Sequence, residues 1–261
     1  MKFKIILLLL IAISVFLLLK FNNEKTKLSV NLTKTNPSPK VFSPQIKAKD
    51  IDIEFNSKKM AVSIIRVTDV KKITLIPNFT DKNSALNILT KNKCNSLTSG
   101  GFYSKENYPL GLFIINSKVI SKEIQSLLFN GFFFVDVNEN VGIRREIPDN
   151  NFRFAIQSGP ILMENGESLS FKINNDEEAR RIAVAINREG NIFFIAVYNR
   201  ESNLQGPLLS ELPEFVKIAG EKINENFEIA LNLDGGSASA FYSENISLSE
   251  LSAVGSSFCI K

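Results

Sequence analysis

Histidine is absent from the 261 residues, and that absence removes whole classes of chemistry. No Ser-His-Asp or Cys-His nucleophile pair can be assembled, no imidazole can shuttle protons, and no His-containing zinc site is available. Cysteine is scarce: Cys94 and Cys259 lie far apart and cannot make a zinc site between them. Two readings of them stay open, a disulfide in an extracytoplasmic domain or two separate buried thiols acting as small hydrophobes. Neither sign of charge dominates, since 31 Lys and Arg against 27 Asp and Glu leave a formal +4 spread along the chain. Basic residues are not interleaved with aromatics as on a nucleic-acid surface, so no nucleic-acid partner is expected. There is no internal repeat, heptad array or phosphate-binding P-loop. Any chemistry must therefore rest on carboxylates, Arg, Lys, Tyr, hydroxyls, Cys or backbone amides.

The chain has enough apolar material for a sizeable core, at 44% hydrophobic and 22% charged residues. Its start is distinctive. Lys2 and Lys4 precede an apolar stretch, residues 5–19, that Lys20 ends. The length fits a signal-peptide core and is short of the roughly 20 residues of a full span, though Phe3 and Phe21 could extend it. Neither a small-x-small cleavage site nor a lipobox cysteine follows. Residues 1–21 are therefore expected to be a signal anchor in the membrane, with the globular part outside the cytoplasm, or secreted if that segment is cleaved. Residues 22–45, rich in Lys, Asn, Thr, Ser and Pro, read as an extended tether.

From residue 46 the pattern turns globular. Ile51, Ile53 and Phe55 alternate with Asp52 and Glu54, and residues 61–67 form a β-branched run. Further strands are expected at 112–115, 132–135, 154–158, 182–186 and 192–197, the last two joined by a hairpin turn at 187–191. Helices are expected over 81–93, capped by Asp81, and over 208–222, capped by Ser210 with Pro213 in the first turn. Many strands and few helices predict a mixed α+β domain over 46–261, with a largely antiparallel sheet core and a few flanking helices.

One segment concentrates functional chemistry: Asn232-Leu233-Asp234-Gly235-Gly236-Ser237. An alternating strand carries a carboxylate to its end, and two glycines then allow a sharp turn and close backbone approach to a ligand. Taken alone, it reads equally as a solvated turn with Asp234 as a capping residue. Four other segments complete a pattern: Ser99-Gly100-Gly101-Phe102-Tyr103, Pro109-Leu110-Gly111-Leu112, Gln157-Ser158-Gly159-Pro160 and Arg181-Ile182-Ala183-Val184-Ala185-Ile186. In that order the five segments resemble the motifs of the phosphodiester glycosidase family, over about residues 60–260. Ser99 stands where that family usually carries Asn.

The resemblance implies hydrolysis of a sugar-1-phosphodiester, releasing the sugar and leaving a phosphomonoester, on an envelope or extracellular glycan. It assigns Asp234 as the principal catalytic carboxylate and selects Arg181 over Arg180, which reads as half of a solvated pair facing Asp176, Glu177 and Glu178. Arg181 and the Gly100 and Gly101 amides would hold phosphate, with Phe102 as a wall. Ser99, Gln157, Gly159, Asn232, Gly235, Gly236 and Ser237 would shape the rest of the substrate site. Glycoside hydrolysis usually needs two carboxyl groups, and only Glu106 and Glu164 offer themselves as a second. No cofactor is called for, although Asp234 with nearby Asn and Ser oxygens could help hold a divalent cation. Ser99 and the missing second acid leave an alternative: an anchored envelope protein that binds glycan or a partner through a degenerate pocket.

Overall fold

The computed structural model describes residues 49–149 and 151–261. The expected anchor and tether lie outside these residues. Among the described residues no helix is long and apolar enough to cross a membrane.

In chain order the strands are β1 (Lys49–Phe55), β2 (Lys58–Val67), β3 (Ile73–Pro77), β4 (Ser96–Ser99), β5 (Phe113–Ile115), β6 (Lys118–Ser121), β7 (Gly131–Asp136), β8 (Val141–Arg144) and β9 (Phe152–Ser158). They continue as β10 (Ile161–Glu164), β11 (Glu167–Ser168), β12 (Arg181–Asn187), β13 (Ile192–Tyr198), β14 (Phe227–Leu233), β15 (Phe241–Tyr242), β16 (Ser247–Leu248) and β17 (Ser256–Ile260). Helices α1 (Ala85–Lys91) and α2 (Leu212–Lys222) complete the regular structure, with 3-10 turns at Val70–Lys72 and Gly236–Ala238. The strands form a seven-stranded sheet, β1-β2-β13-β12-β14-β10-β11, and two five-stranded sheets, β16-β15-β4-β17-β3 and β6-β5-β9-β7-β8. The pairings are antiparallel, for example Ile182 opposite Ala196 on one side and Leu233 on the other.

All three sheets contribute to one core. Ile182, Val184 and Phe194 of the large sheet meet Leu75, Phe241 and Phe258 of the second and Phe133, Phe154 and Ile156 of the third. Phe133 lies at its centre, with ring centroids 5.6 Å from Phe154, 6.1 Å from Phe194 and 5.4 Å from Phe258. These edge-on contacts suit the aromatic quadrupole. The opposite face of the large sheet is covered by α2, whose Leu212, Phe215, Val216 and Ala219 pack on Ala183, Ala185 and Phe193. Strand β13 (Ile-Phe-Phe-Ile-Ala-Val-Tyr) is therefore buried throughout, which is why it has no polar alternation.

Both helices begin later than expected. Ser84, not Asp81, caps α1 by accepting from the Asn87 amide at 3.2 Å. Residues 78–83 instead form a loop that Asn78 closes, accepting from the Asn83 amide and donating to the Asn83 carbonyl, both at 2.8 Å. At α2 the N-cap is Glu211, and the Ser210 amide is bound by Asp176 at 2.9 Å. Cys94 and Cys259 form a disulfide against the core patch beneath α1.

Candidate functional site

Three strand ends meet β14 and the loop that follows it. Strand β4 ends at Ser99, whose hydroxyl donates to the Asp234 carbonyl at 2.9 Å, and the Asp234 amide returns a bond to the Gly100 carbonyl at 3.0 Å. The end of β9 adds a second clamp. Ser158 donates to the Asn232 carbonyl at 2.6 Å, and the Asn232 side-chain amide donates to the Gly159 carbonyl at 2.9 Å. The Asn232 Oδ1 is buried with no hydrogen-bond partner among the described residues. On the far side Gly235 lies against the start of β12: a Cβ there would stand 2.6 Å from the Arg180 carbonyl oxygen and 3.5 Å from the Arg181 Cα. That approach is open only to glycine.

The two arginines exchange the environments expected for them. Arg180 is fully buried. Its Nε donates to Ser239 Oγ at 2.8 Å, Nη1 to the Asn203 carbonyl at 3.2 Å, and Nη2 to the Ser239 carbonyl and, at 2.8 Å, to the Ser249 carbonyl. Its own carbonyl accepts from the Gly236 amide at 2.7 Å. Arg180 thus clasps the 235–239 loop by backbone and side chain, and burial pulls its pKa down to about 10. Arg181 is the residue that faces Asp176, at 3.5 Å, with Nε on the Pro207 carbonyl at 3.1 Å and Nη2 on the Glu177 carbonyl. It adjoins the loop through its backbone, while its guanidinium is tied to the segment leading into α2. The solvated pair expected at Arg180 is corrected, because a cation with four acceptors around it stays charged away from water.

Two further expectations are corrected by the hydrogen bonding. The Gly100 amide donates to the Ser256 carbonyl at 2.8 Å and the Gly101 amide to Ser256 Oγ at 3.2 Å, so the paired glycines form no open anion nest. Gln157 is likewise saturated. Its Oε1 accepts from the amides of Leu112 at 3.1 Å and Ile124 at 2.9 Å, and its Nε2 donates to the carbonyls of Ile124 and Phe129 at 2.8 Å. It latches the 122–130 loop to β9 and has no bond left for a sugar. Gly159 precedes a cis proline, and its backbone sits where a Cβ would be 2.1 Å from the Leu128 carbonyl oxygen. Phe102 is half-buried, its ring 5.0 Å from that of Phe129. Ser237 is exposed, and its carbonyl accepts from the amides of Leu251 and Ser252. Glu106 is exposed, and Glu164 is held by Arg145 at 3.0 Å.

The Asp234 carboxyl is the side chain of this loop whose titration is most displaced. It is 9% exposed, and burial pushes its pKa up to about 8 against one opposing bond from the Gly235 amide. At neutral pH it carries its proton, and an acid is what it offers a ligand. Tyr103 stands beside it: burial and the Asp234 charge both push the phenol up, and its hydroxyl donates to the Ala253 carbonyl. Among the described residues no group of three or more Cys, Asp or Glu comes together as a metal cage.

Comparison with known proteins places the chain in a family. The phosphodiester glycosidase family model matches residues 92–260, the stretch that carries every strand end described above. The chain belongs to the phosphodiester glycosidase family. Its fold is similar to the catalytic domain of zebrafish N-acetylglucosamine-1-phosphodiester alpha-N-acetylglucosaminidase, described as auto-inhibited by its pro-peptide, with a TM-score of 0.65 at 18% identity over 84% of both chains. A hypothetical protein from Synechocystis has a TM-score of 0.56 at 15% identity, over 82% of this chain and 62% of the other. By sequence, the uncharacterized protein YigE of Escherichia coli is 33% identical over 108 residues, which is 37% of this chain and only 42% of YigE. Within the matched stretch, sequence reasoning passed over Arg180 and Ser256. The only signal for Arg180 was its place beside Arg181, and for Ser256 a serine pair opening an apolar strand.

Proposed function

We propose that this chain hydrolyses a sugar-1-phosphodiester at the bond between the anomeric carbon and the phosphate oxygen. One observation carries the reading: the Asp234 carboxyl is buried immediately past the end of β14, and that burial pushes its pKa up to about 8, so that it favours its protonated form at neutral pH. A phosphodiester is an anion, and a neutral acid can stand beside it without repulsion while donating to one of its oxygens. As the C1–O bond breaks, its electron pair passes to the phosphate oxygen, which takes the Asp234 proton. Water then adds to C1 and returns a proton to Asp234, so the site is regenerated. Because phosphate is a competent leaving group, one acid serves where an ordinary glycoside needs two carboxyl groups. The unpaired Asn232 Oδ1 supports a role in accepting a sugar hydroxyl. The disulfide supports an extracytoplasmic site of action, where glycan phosphodiesters of the envelope occur.

A second reading, a non-catalytic glycan-binding protein, is favoured by one observation: the Gly100 and Gly101 amides and the Arg181 guanidinium are already engaged. The experiment that separates the two is turnover of benzyl phosphodiesters of N-acetylglucosamine-1-phosphate, glucose-1-phosphate and galactose-1-phosphate. Wild type is expected to release free sugar and benzyl phosphate, and Asp234→Asn to be at least about 100-fold slower. Wild-type rates from Asp234→Asn would sink the assignment. Binding without turnover by the wild type would select the second reading.

A further inference from the structure

A cleft beside the 103–109 hairpin takes no part in the chemistry above. It has a volume of about 390 Å³ and is lined by Phe79, Asp81, Asn107, Tyr108, Pro109 and Ile120 among others. That volume falls in the range of about 300–1,000 Å³ typical of small-molecule sites. Its walls are fixed. Phe79 packs edge-on against Phe113 at 5.1 Å, and the loop carrying it is pinned by the Asn78 side chain, which donates to the Val254 carbonyl at 2.8 Å. The hairpin wall is closed by bonds from the Ser104 amide to the Tyr108 carbonyl at 2.7 Å and from the Leu110 amide to the Phe102 carbonyl at 2.9 Å. On this ordered hairpin the Tyr108 ring stands 67% exposed. An aromatic presented from a fixed backbone loses little freedom when a ligand covers it.

The cleft and the Asp234 site share one support, the segment 253–256. Asn78 donates through its amide to the Gly255 carbonyl at 2.8 Å, Tyr103 bonds the Ala253 carbonyl, and Ser256 holds Gly100 and Gly101. Gly255 lies between the two ring systems: a Cβ there would meet the Tyr103 ring at 2.5 Å and the Phe79 ring at 2.9 Å. Tyr103 therefore adjoins both the Asp234 carboxyl and, across Gly255, the Phe79 wall of the cleft. The cleft's chemistry also names the part of the ligand it takes. Its rim carries the Asp81 carboxylate, which repels phosphate, and the Asn107 amide, while Tyr108, Pro109 and Phe79 supply apolar faces. A pyranose ring matches both, with C–H faces for the rings and edge hydroxyls for the amide and carboxylate.

We infer that this cleft is a subsite for uncharged pyranose rings of a glycan whose phosphodiester lies at Asp234, an inference that rests on the glycosidase reading. The test is isothermal titration calorimetry of the full chain with chitohexaose, cellohexaose and maltohexaose, beside Tyr108→Ala and Tyr108→Phe. At least one hexaose is expected to bind the wild type. Tyr108→Ala should weaken it at least about tenfold, and Tyr108→Phe, which keeps the ring, by no more than about twofold. Because Tyr108 is exposed, both variants should keep the wild-type circular dichroism spectrum. Failure of all three hexaoses to bind, or wild-type affinity in Tyr108→Ala, would overturn the subsite even with phosphodiester turnover intact. Tyr108-dependent binding with no turnover of any phosphodiester would instead sink the glycosidase reading and leave a glycan-binding cleft.

Discussion

At the scale of single residues, Asp234 ties stability to pH without any substrate. Its carboxyl titrates near pH 8 in the folded protein and near about 3.9 in an unfolded chain. Between those values the folded state holds the extra proton. The contribution of this group is therefore complete below about pH 4, declines as pH rises, and is gone above about pH 8. The decline is at most about 1.4 kcal/mol per pH unit from one group. Asp234→Asn titrates nothing at this site, so its urea-unfolding free energy should fall less steeply between pH 5 and pH 8 than the wild type's. Identical slopes would mean that the carboxyl is not held neutral. The type and place of this residue were legible as an acid at a strand end before two glycines, but its proton was not, because burial comes from chains distant in sequence. Arg180 and Arg181 show the same limit. Arg180 precedes β12 and Arg181 opens it, and which of the two meets the 235–239 loop and which meets Asp176 depends on chain segments distant in sequence. Gln157 and Gly100-Gly101 were legible as special positions, but their partners, Ile124 and Ser256, lie far off in sequence and were not.

At the scale of elements, the segment 253–256 supports the site and makes its own prediction. In Gly255→Ala the new methyl would stand 2.5 and 2.7 Å from Tyr103 ring carbons and 2.9 Å from Phe79, closer than packed side chains allow. Either the rings or the segment must move, at a cost of about 1–3 kcal/mol for overpacking. Tyr103 adjoins Asp234, so phosphodiester turnover should fall together with the denaturant midpoint. Unchanged turnover and midpoint would show that the segment yields freely and supports nothing. This segment was silent in the sequence. Strands β2, β12 and β13 were legible because both faces are buried and their central residues are therefore almost all apolar. Strands β4 and β17, the latter opening Ser256-Ser257 before Phe258-Cys259-Ile260, are short and hydroxyl-rich because they face the site, and hydroxyls read as loop.

For the whole described domain, the disulfide closes the longest constraint. Cys94 precedes β4 and Cys259 lies in β17, so a bond spanning 165 residues holds together two strands that carry Ser99 and Ser256 to the site. The pairing was one of two readings the sequence allowed, and strand order decides it: β4 and β17 are neighbours in the second sheet, with Cα atoms of the two cysteines 5.4 Å apart. In the chain-entropy account, so long a loop yields stabilisation near the upper end of the usual range of about 2–5 kcal/mol. The double variant Cys94→Ser with Cys259→Ser should therefore unfold about 5–15 °C lower in a thermal scan, and wild type in excess reductant should move toward it. Phosphodiester turnover below the new midpoint should survive, because β4 and β17 stay paired through Ser257 opposite Ser99 and Phe258 opposite Thr98. Loss of turnover in a still-folded double variant would show that the bond positions Ser99 and Ser256, and through them Asp234, rather than only restricting the unfolded chain.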